Sequence, residues 1–176
     1  MDGIYYEDFA EKYQIAKYIV QMDTAYGAGT GFLYTRKGSS CIYIITVCHV
    51  VLKSIVKKER ICIRYQNHEK AYAAEQFQIC TLYDESELTE ELCQRLEDEE
   101  RSERHKDLIV LRMLKQEFAD GNVQLPNKLY RLSEKKIKRN LMFAGYGYPD
   151  ETRFYEMLQG ICLGWDEEER MITCKA

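Results

Sequence analysis

The segment Cys41 to Val47, CIYIITV, constrains the fold of this chain more than any other feature of its sequence. β-branched and aromatic residues fill most of its positions, and such residues favour strands that pack in a sheet. The segment therefore predicts a central strand. Similar short runs recur along the chain, at residues 15–22, 32–35, 61–65, 77–83, 107–113, 141–144, 158–165 and 171–174. Short strands at such regular spacing predict an all-β sandwich or barrel and argue against a parallel α/β sheet.

Three glycines, Gly27, Gly29 and Gly31, precede the strand predicted at 32–35. They are typical of a turn or of a close approach between two backbones. A phosphate-binding loop is the alternative, but it requires a GK[ST] motif and a following helix. A strand follows here, so we reject the phosphate loop.

One segment, Asp84 to Lys106, interrupts the strand pattern. Leu88, Leu92 and Leu96 recur at helical spacing, and acidic residues crowd the first turn, which predicts a helix. Its other faces are densely charged, so we expect an insertion outside the barrel, held by the leucine stripe. If so, deleting residues 86–101 should cost little stability.

The balance of charge gives no sign of a nucleic-acid or lipid ligand. The 176 residues carry 25 basic and 29 acidic side chains, for a net charge of -4. The longest basic cluster is best interpreted as a solvated surface run; it comprises Lys135, Lys136, Lys138 and Arg139. We therefore expect no nucleic-acid partner.

Localisation and cofactors follow from the remaining composition. The N-terminus lacks the basic start and apolar stretch of a secretory signal, and no apolar run is long enough to span a membrane. The seven cysteines lack CxxC spacing and are typical of reduced thiols in a cytoplasmic protein. A metal site at His49, His68 or His105 would need paired ligand spacing, which is absent. We expect no metal, no cofactor and no membrane partner.

Several segments together resemble the trypsin-like family of serine peptidases, which have the chymotrypsin fold. They are Gly29 to Leu33 (GTGFL), Ile44 to Val51 (IITVCHVV), Asp107 to Leu111 (DLIVL), Ala144 to Pro149 (AGYGYP) and Gly160 to Gly164 (GICLG). They occur in the order that the family has. The resemblance implies a chymotrypsin-like double β-barrel.

The resemblance also implies roles for His49 and Asp107. In this family a histidine takes the proton of a serine hydroxyl and returns it to the leaving amine. A buried aspartate fixes the tautomer and orientation of that histidine. His49 would be the base and Asp107 the orienting carboxylate, so the two side chains should lie within hydrogen-bond reach although 58 positions separate them.

The chain departs from the family in the residues around its nucleophile. The GNSGG segment is absent, and none of the six serines has flanking glycines that could build an oxyanion hole; these are Ser39, Ser40, Ser54, Ser86, Ser102 and Ser133. Cys162 is a rival nucleophile, but its segment is better interpreted as a strand with a buried thiol. We expect the chain to end before the nucleophile serine, with an incomplete second barrel, and to be inactive alone. Val47 and Cys48 also replace the family's small residues before the histidine.

The expected organisation has four parts. Residues 1–14 form an N-terminal arm, 15–115 the first barrel with the helical insertion at about 84–106, 116–135 a linker and 136–176 a partial second barrel. The implied function is endopeptidase hydrolysis of a protein or peptide substrate. The alternative is a non-catalytic trypsin-fold module that binds a regulatory protein partner. A G-x-S-G-G sequence encoded downstream of residue 176 would favour the enzyme.

Overall fold

A computed structural model describes residues 15–36, 38–97, 106–121, 123, 125–126, 142–147, 156–166 and 171–175. For residues 15–16 and everything from 142 onward, the description covers the backbone alone. The predicted arm 1–14 and most of the predicted linker lie outside these residues. So do Ser102, His105, Ser133 and the basic cluster at 135–139.

The described part of the chain is mostly antiparallel β-structure. The strands are β1 (Ile19–Thr24), β2 (Gly27–Thr35), β3 (Cys41–Thr46), β4 (Arg60–Tyr65), β5 (His68–Ala73), β6 (Gln78–Thr81), β7 (Ile109–Leu114), β8 (Met142–Gly147), β9 (Glu156–Asp166) and β10 (Met171–Lys175). The α-helices are α1 (Cys48–Val56) and α2 (Glu90–Glu97), and short 3-10 turns occupy Ile15–Tyr18, Ala74–Gln76, Glu85–Glu87 and Phe118–Gly121. The predicted all-β class is confirmed.

Seven strands form one sheet in the order β5-β4-β1-β2-β3-β7-β6. Laid flat, its edge strands would lie about 28 Å apart, since neighbouring strands are about 4.7 Å apart. Yet β5 and β6 are consecutive in the chain, and the connection from Ala73 to Gln78 can reach at most about 18 Å. The sheet therefore curls toward a barrel, which is consistent with a chymotrypsin-like fold.

The interior of the curled sheet is an aliphatic core. Alternate residues of each strand point inward, as the burial of Ile109, Leu111 and Met113 in β7 illustrates. Inward side chains of the other strands complete the core, among them Val20, Met22, Leu33, Ile42, Ile44, Ile61 and Ile63. The central strand predicted at 41–47 is indeed internal, with β2 on one side and β7 on the other.

The helix α1 was not predicted from the sequence, where residues 49–52 follow the end of the central strand without an element of their own. Cys48, Val51 and Leu52 are all buried, and their spacing is helical. Packing of this face on the core overrides the strand preference of the valines and isoleucine. The edge strand β5 was also not predicted, because its sequence, HEKAYA, is largely polar.

The helix α2 begins later than the predicted helix at 84–106. Asp84 and Glu87 close a separate 3-10 turn, in which the Asp84 N–H donates to the Glu87 carboxylate at 2.8 Å. The α-helix begins one residue after Thr89, whose hydroxyl accepts from the Leu92 N–H at 3.3 Å. Residues 98–105 lie outside the described part of the chain.

The predicted leucine stripe is confirmed at Leu92 and Leu96, which are 1% exposed, while Leu88 is partly buried against the core. Leu92, Cys93 and Leu96 belong to the same hydrophobic core as α1 and the sheet. The structure thus changes the expectation that the insertion could be deleted at little cost.

A second sheet has the strand order β10-β9-β8, again antiparallel. The predicted strands at 158–165 and 171–174 fall within β9 and β10, and a register shift between Thr173 and Cys174 marks a bulge. The proposed division into two barrels stays a prediction. Within the described residues, neither helix has the length and apolar character needed to cross a membrane.

Candidate active site

The pairing of β3 with β7 brings His49 and Asp107 together. These strands are antiparallel, and Thr46 at the end of β3 pairs with Ile109 at the start of β7. Counting two residues beyond this pair along both segments brings Cys48 opposite Asp107. His49 follows Cys48 in the first turn of α1, so sheet register alone carries the two residues close together despite their separation in sequence.

Asp107 contacts His49 through both carboxylate oxygens. Oδ2 lies 2.6 Å from the ring Nδ1, and Oδ1 accepts a hydrogen bond from the His49 backbone N–H at 3.0 Å. The Asp107 side chain is 5% exposed, whereas that of His49 is 40% exposed. The expected contact between the two residues is confirmed; their catalytic roles stay a prediction.

This arrangement assigns the imidazole tautomer. A carboxylate only accepts, so Nδ1 carries the proton that it donates to Asp107. In the neutral ring Nε2 is then the proton acceptor. When Nε2 takes up a proton, the buried carboxylate stabilises the resulting positive charge. The pair therefore has the chemistry of an oriented general base.

Asp107 also caps the helix that carries His49. The first N–H groups of a helix have no partner within it, and Val47 at the N-cap makes no side-chain cap. The Asp107 carboxylate takes that place by accepting from the His49 N–H. Its negative charge is also favourable near the positive end of the helix dipole.

The segment GTGFL lies in β2, next to β3, and packs closely on its surroundings. A Cβ built on Gly31 would lie 2.6 Å from Ile44 Cγ2, and one built on Gly29 would lie 2.6 Å from Val50 Cγ2. Both positions need glycine because the neighbouring side chains occupy that space. The Thr46 hydroxyl donates to the Thr30 carbonyl at 2.8 Å, which joins β3 to β2 beside the site.

The residues before His49 that differ from the family fit their surroundings. Cys48 is fully buried, and its Sγ lies 3.7 Å from Thr81 Oγ1. This thiol fills space between α1 and β6. With cysteine at this position, the contact between His49 and Asp107 is present.

Polar contacts cover the outer side of α1, one and two turns after His49. Lys53 donates to Glu97 of α2 at 2.9 Å, and Lys57 Nζ lies 3.8 Å from Glu90. The Lys53–Glu97 hydrogen bond raises the pKa of Lys53. Both ammonium groups lie over the Tyr26 ring, at 4.7 and 5.4 Å from its centroid. The sequence pointed to none of these contacts.

Among the described serines, Ser39 and Ser40 lie away from the His49 ring, and Ser54 is enclosed by protein. Ser39 and Ser40 precede β3, whereas His49 follows its far end, about 20 Å away along the strand. Ser54 is fully buried within α1, and Ser86 lies in the 3-10 turn before α2. The backbone of Cys162 lies in β9, as the strand interpretation predicted.

No metal centre is found in the described part of the chain, where His, Cys, Asp and Glu side chains never cluster in groups of three or more. A comparison with protein-family models gives no match, and neither does one with curated proteins.

Among solved structures, the chain is similar to the crystal structure of Rv3671c from M. tuberculosis H37Rv, a serine-to-alanine mutant in an inactive form. The TM-score is 0.46 and the sequence identity 14%. The match covers 85% of this chain and 52% of that one, so this chain spans about half the length of the matched chain. A similarity of this size carries no argument about function, which rests on the geometry of His49 and Asp107.

Proposed function

We propose that this chain supplies the general base and the orienting carboxylate of a trypsin-like serine endopeptidase. The observation that carries the proposal is the double contact of Asp107 with His49, to the ring at 2.6 Å and to the backbone at 3.0 Å. A carboxylate that is buried and shared in this way holds the ring in one orientation. The 40% exposure of the His49 side chain leaves room for a substrate to approach it.

In the proposed reaction, Nε2 of His49 removes the proton of a serine hydroxyl while the serine oxygen attacks the peptide carbonyl carbon. The imidazolium then gives that proton to the departing amine, and an acyl-enzyme remains. Water, deprotonated by the same nitrogen, releases the acyl group. Asp107 stays ionised throughout and stabilises the imidazolium.

The sequence blocks around the two residues support the same assignment, since GTGFL, ITVCHVV and DLIVL occur in the family's order. The nucleophile is a separate part of the proposal. Ser39, Ser40 and Ser54 do not fit this role by position, and Ser86 lies between two glutamates without the glycines that an oxyanion hole needs, so the proposal places the nucleophile outside the described residues.

The test measures hydrolysis of an unstructured protein by the natural-length protein, which is this chain together with any further segment that its gene encodes, and by its His49→Ala variant. We expect hydrolysis that falls at least about 10³-fold in the variant. Hydrolysis that is unchanged by His49→Ala would contradict the proposed base. Absence of hydrolysis by the natural-length protein would favour the non-catalytic binding module.

A fluorophosphonate probe gives a readout that does not depend on substrate choice. It reacts with a serine hydroxyl that a neighbouring base activates. Labelling of the natural-length protein that disappears with His49→Ala would support the proposal. Equal labelling of the two proteins would argue against it.

A further inference from the structure

Val50, the residue that follows His49, lies against β2 at Gly29. The space that a Cβ on Gly29 would need is taken by the Val50 side chain, whose Cγ2 and Cγ1 would lie only 2.6 and 3.0 Å from it. Carbon atoms in contact are ordinarily about 3.5–4.0 Å apart. A methyl group at this position would therefore push α1 and β2 apart by about 1 Å.

The backbone of Val50 is held from the same side of the sheet. The hydroxyl of Thr24, the last residue of β1, has one proton and two carbonyl acceptors within reach, that of Gly27 at 3.0 Å and that of Val50 at 3.3 Å. The same hydroxyl accepts from the N–H groups of Tyr26 and Gly27 in the turn that leads into β2. The β1–β2 hairpin thus contacts the residue beside His49 through the Thr24 hydroxyl and through the bare backbone of Gly29.

We propose that Gly29 is a positioning residue for His49. Because Gly29 has no side chain, α1 packs closely on β2, and this packing sets the contact of the His49 ring with Asp107. The inference rests on the proposed function for its catalytic meaning, but the contact itself is observable without activity. The Nδ1–Oδ2 distance of 2.6 Å is short. A shift of about 1 Å spans most of the range between such a contact and no hydrogen bond.

Gly31 provides a matched control. A Cβ on Gly31 would meet Ile44 Cγ2 at 2.6 Å and Val20 Cγ2 at 2.8 Å. The crowding is therefore as severe as at Gly29, but it involves strand residues of the core and not α1. Gly31→Ala should destabilise the chain and leave the packing of α1 on β2 unchanged.

The experiment uses NMR of the full chain labelled with ¹⁵N-histidine. The chain has three histidines, and a His49→Gln variant assigns the signals of His49. The ring nitrogen shifts report the tautomer, and a downfield proton signal reports the hydrogen bond from Nδ1 to the carboxylate. We expect Gly29→Ala to lose the downfield signal and Gly31→Ala to keep it.

A rescue variant separates positioning from loss of stability. Val50→Ala removes the two methyl groups that would meet the new Cβ, so Gly29→Ala/Val50→Ala should recover the signal that Gly29→Ala loses. If Gly29→Ala does not fold, the comparison of the double variant with Val50→Ala alone decides. Signal in both supports the proposal. Signal in Val50→Ala but not in the double variant overturns it, as does a full signal in folded Gly29→Ala.

Activity is measured separately on the natural-length protein. Misplacement of the base by about 1 Å should lower kcat about 10²-fold in Gly29→Ala, with little change in KM. A native protein that shows the downfield signal but no hydrolysis would refute the proposed function and leave the role of Gly29 in positioning the ring standing.

Discussion

Asp107 binds His49 with both carboxylate oxygens, one at the ring Nδ1 and one at the backbone N–H that begins α1. The orientation of the imidazole and the start of its helix therefore depend on the same side chain. The β3–β7 register brings the two residues within reach, and the burial of Asp107 removes most competing contacts with water. Substitutions at this carboxylate should consequently separate into effects on the ring and effects on the helix.

Asp107→Asn should impair catalysis by the natural-length protein through the tautomer of His49. The asparagine oxygen can still accept from the His49 backbone N–H, and its amide group then donates to Nδ1. The ring proton must move to Nε2, the nitrogen that has to act as base. We expect kcat to fall by about 10⁴-fold, the size of this effect in the trypsin-like template. Asp120→Asn, on a carboxylate that is 70% exposed, is the control and should leave kcat unchanged. A loss of less than tenfold in Asp107→Asn would count against the orienting role.

Asp107→Ala should reduce stability by a different route, because it removes the cap of α1. Loss of a side-chain cap typically costs about 1 kcal/mol. Asp107→Asn keeps an acceptor for the His49 N–H and should lose clearly less. The free energies of unfolding in urea provide the measurement. Equal losses in the two variants would show that capping is not the cause.

Leu96→Ala should lower the free energy of unfolding by about 2–5 kcal/mol, because Leu96 is 1% exposed in the core shared with α1. Glu97→Ala removes the adjacent ion pair between Lys53 and Glu97. The Glu97 side chain is half-exposed, so this change should lower the free energy of unfolding by less than about 1 kcal/mol. Chemical denaturation of both variants gives the comparison. If Leu96→Ala costs no more than Glu97→Ala, α2 is the dispensable insertion that the sequence suggested.

Tyr65 should make the chain less stable at alkaline pH. Burial raises the pKa of Tyr65 to about 12, and its hydroxyl donates to the Lys17 carbonyl at 2.8 Å. The unfolded tyrosine loses its proton near pH 10. Between pH 10 and 12 the folded chain therefore holds more protons, and unfolding becomes easier by up to about 1.4 kcal/mol per pH unit from this group.

The measurement for Tyr65 is the unfolding free energy of the native chain and of Tyr65→Phe at pH 9.5 and 11.5. Other groups titrate in both proteins, so the difference between the two slopes isolates this hydroxyl. We expect the shallower decline in Tyr65→Phe. Parallel declines would mean that Tyr65 does not hold its proton in the folded chain.

The sequence by itself determined the all-β class, most strands and the pairing of His49 with Asp107. Strand preference and alternation are local properties, visible in CIYIITV and DLIVL without knowledge of their neighbours. The two candidate site residues were recognisable because each lies in a distinctive local block. Their contact, although distant along the chain, was implied by the resemblance that those blocks carry.

Only the tertiary structure decided that the segment after β3 is the helix α1, that α2 begins after Thr89 and enters the core, and that Gly29 faces Val50. Valine-rich HVVL favours a strand locally, and the core that accepts Cys48, Val51 and Leu52 overrides this preference. The close contact between Gly29 and Val50 depends on how a hairpin and a helix fit together. Such distances are set by the packing of side chains from separate segments, and no local pattern in the sequence specifies them.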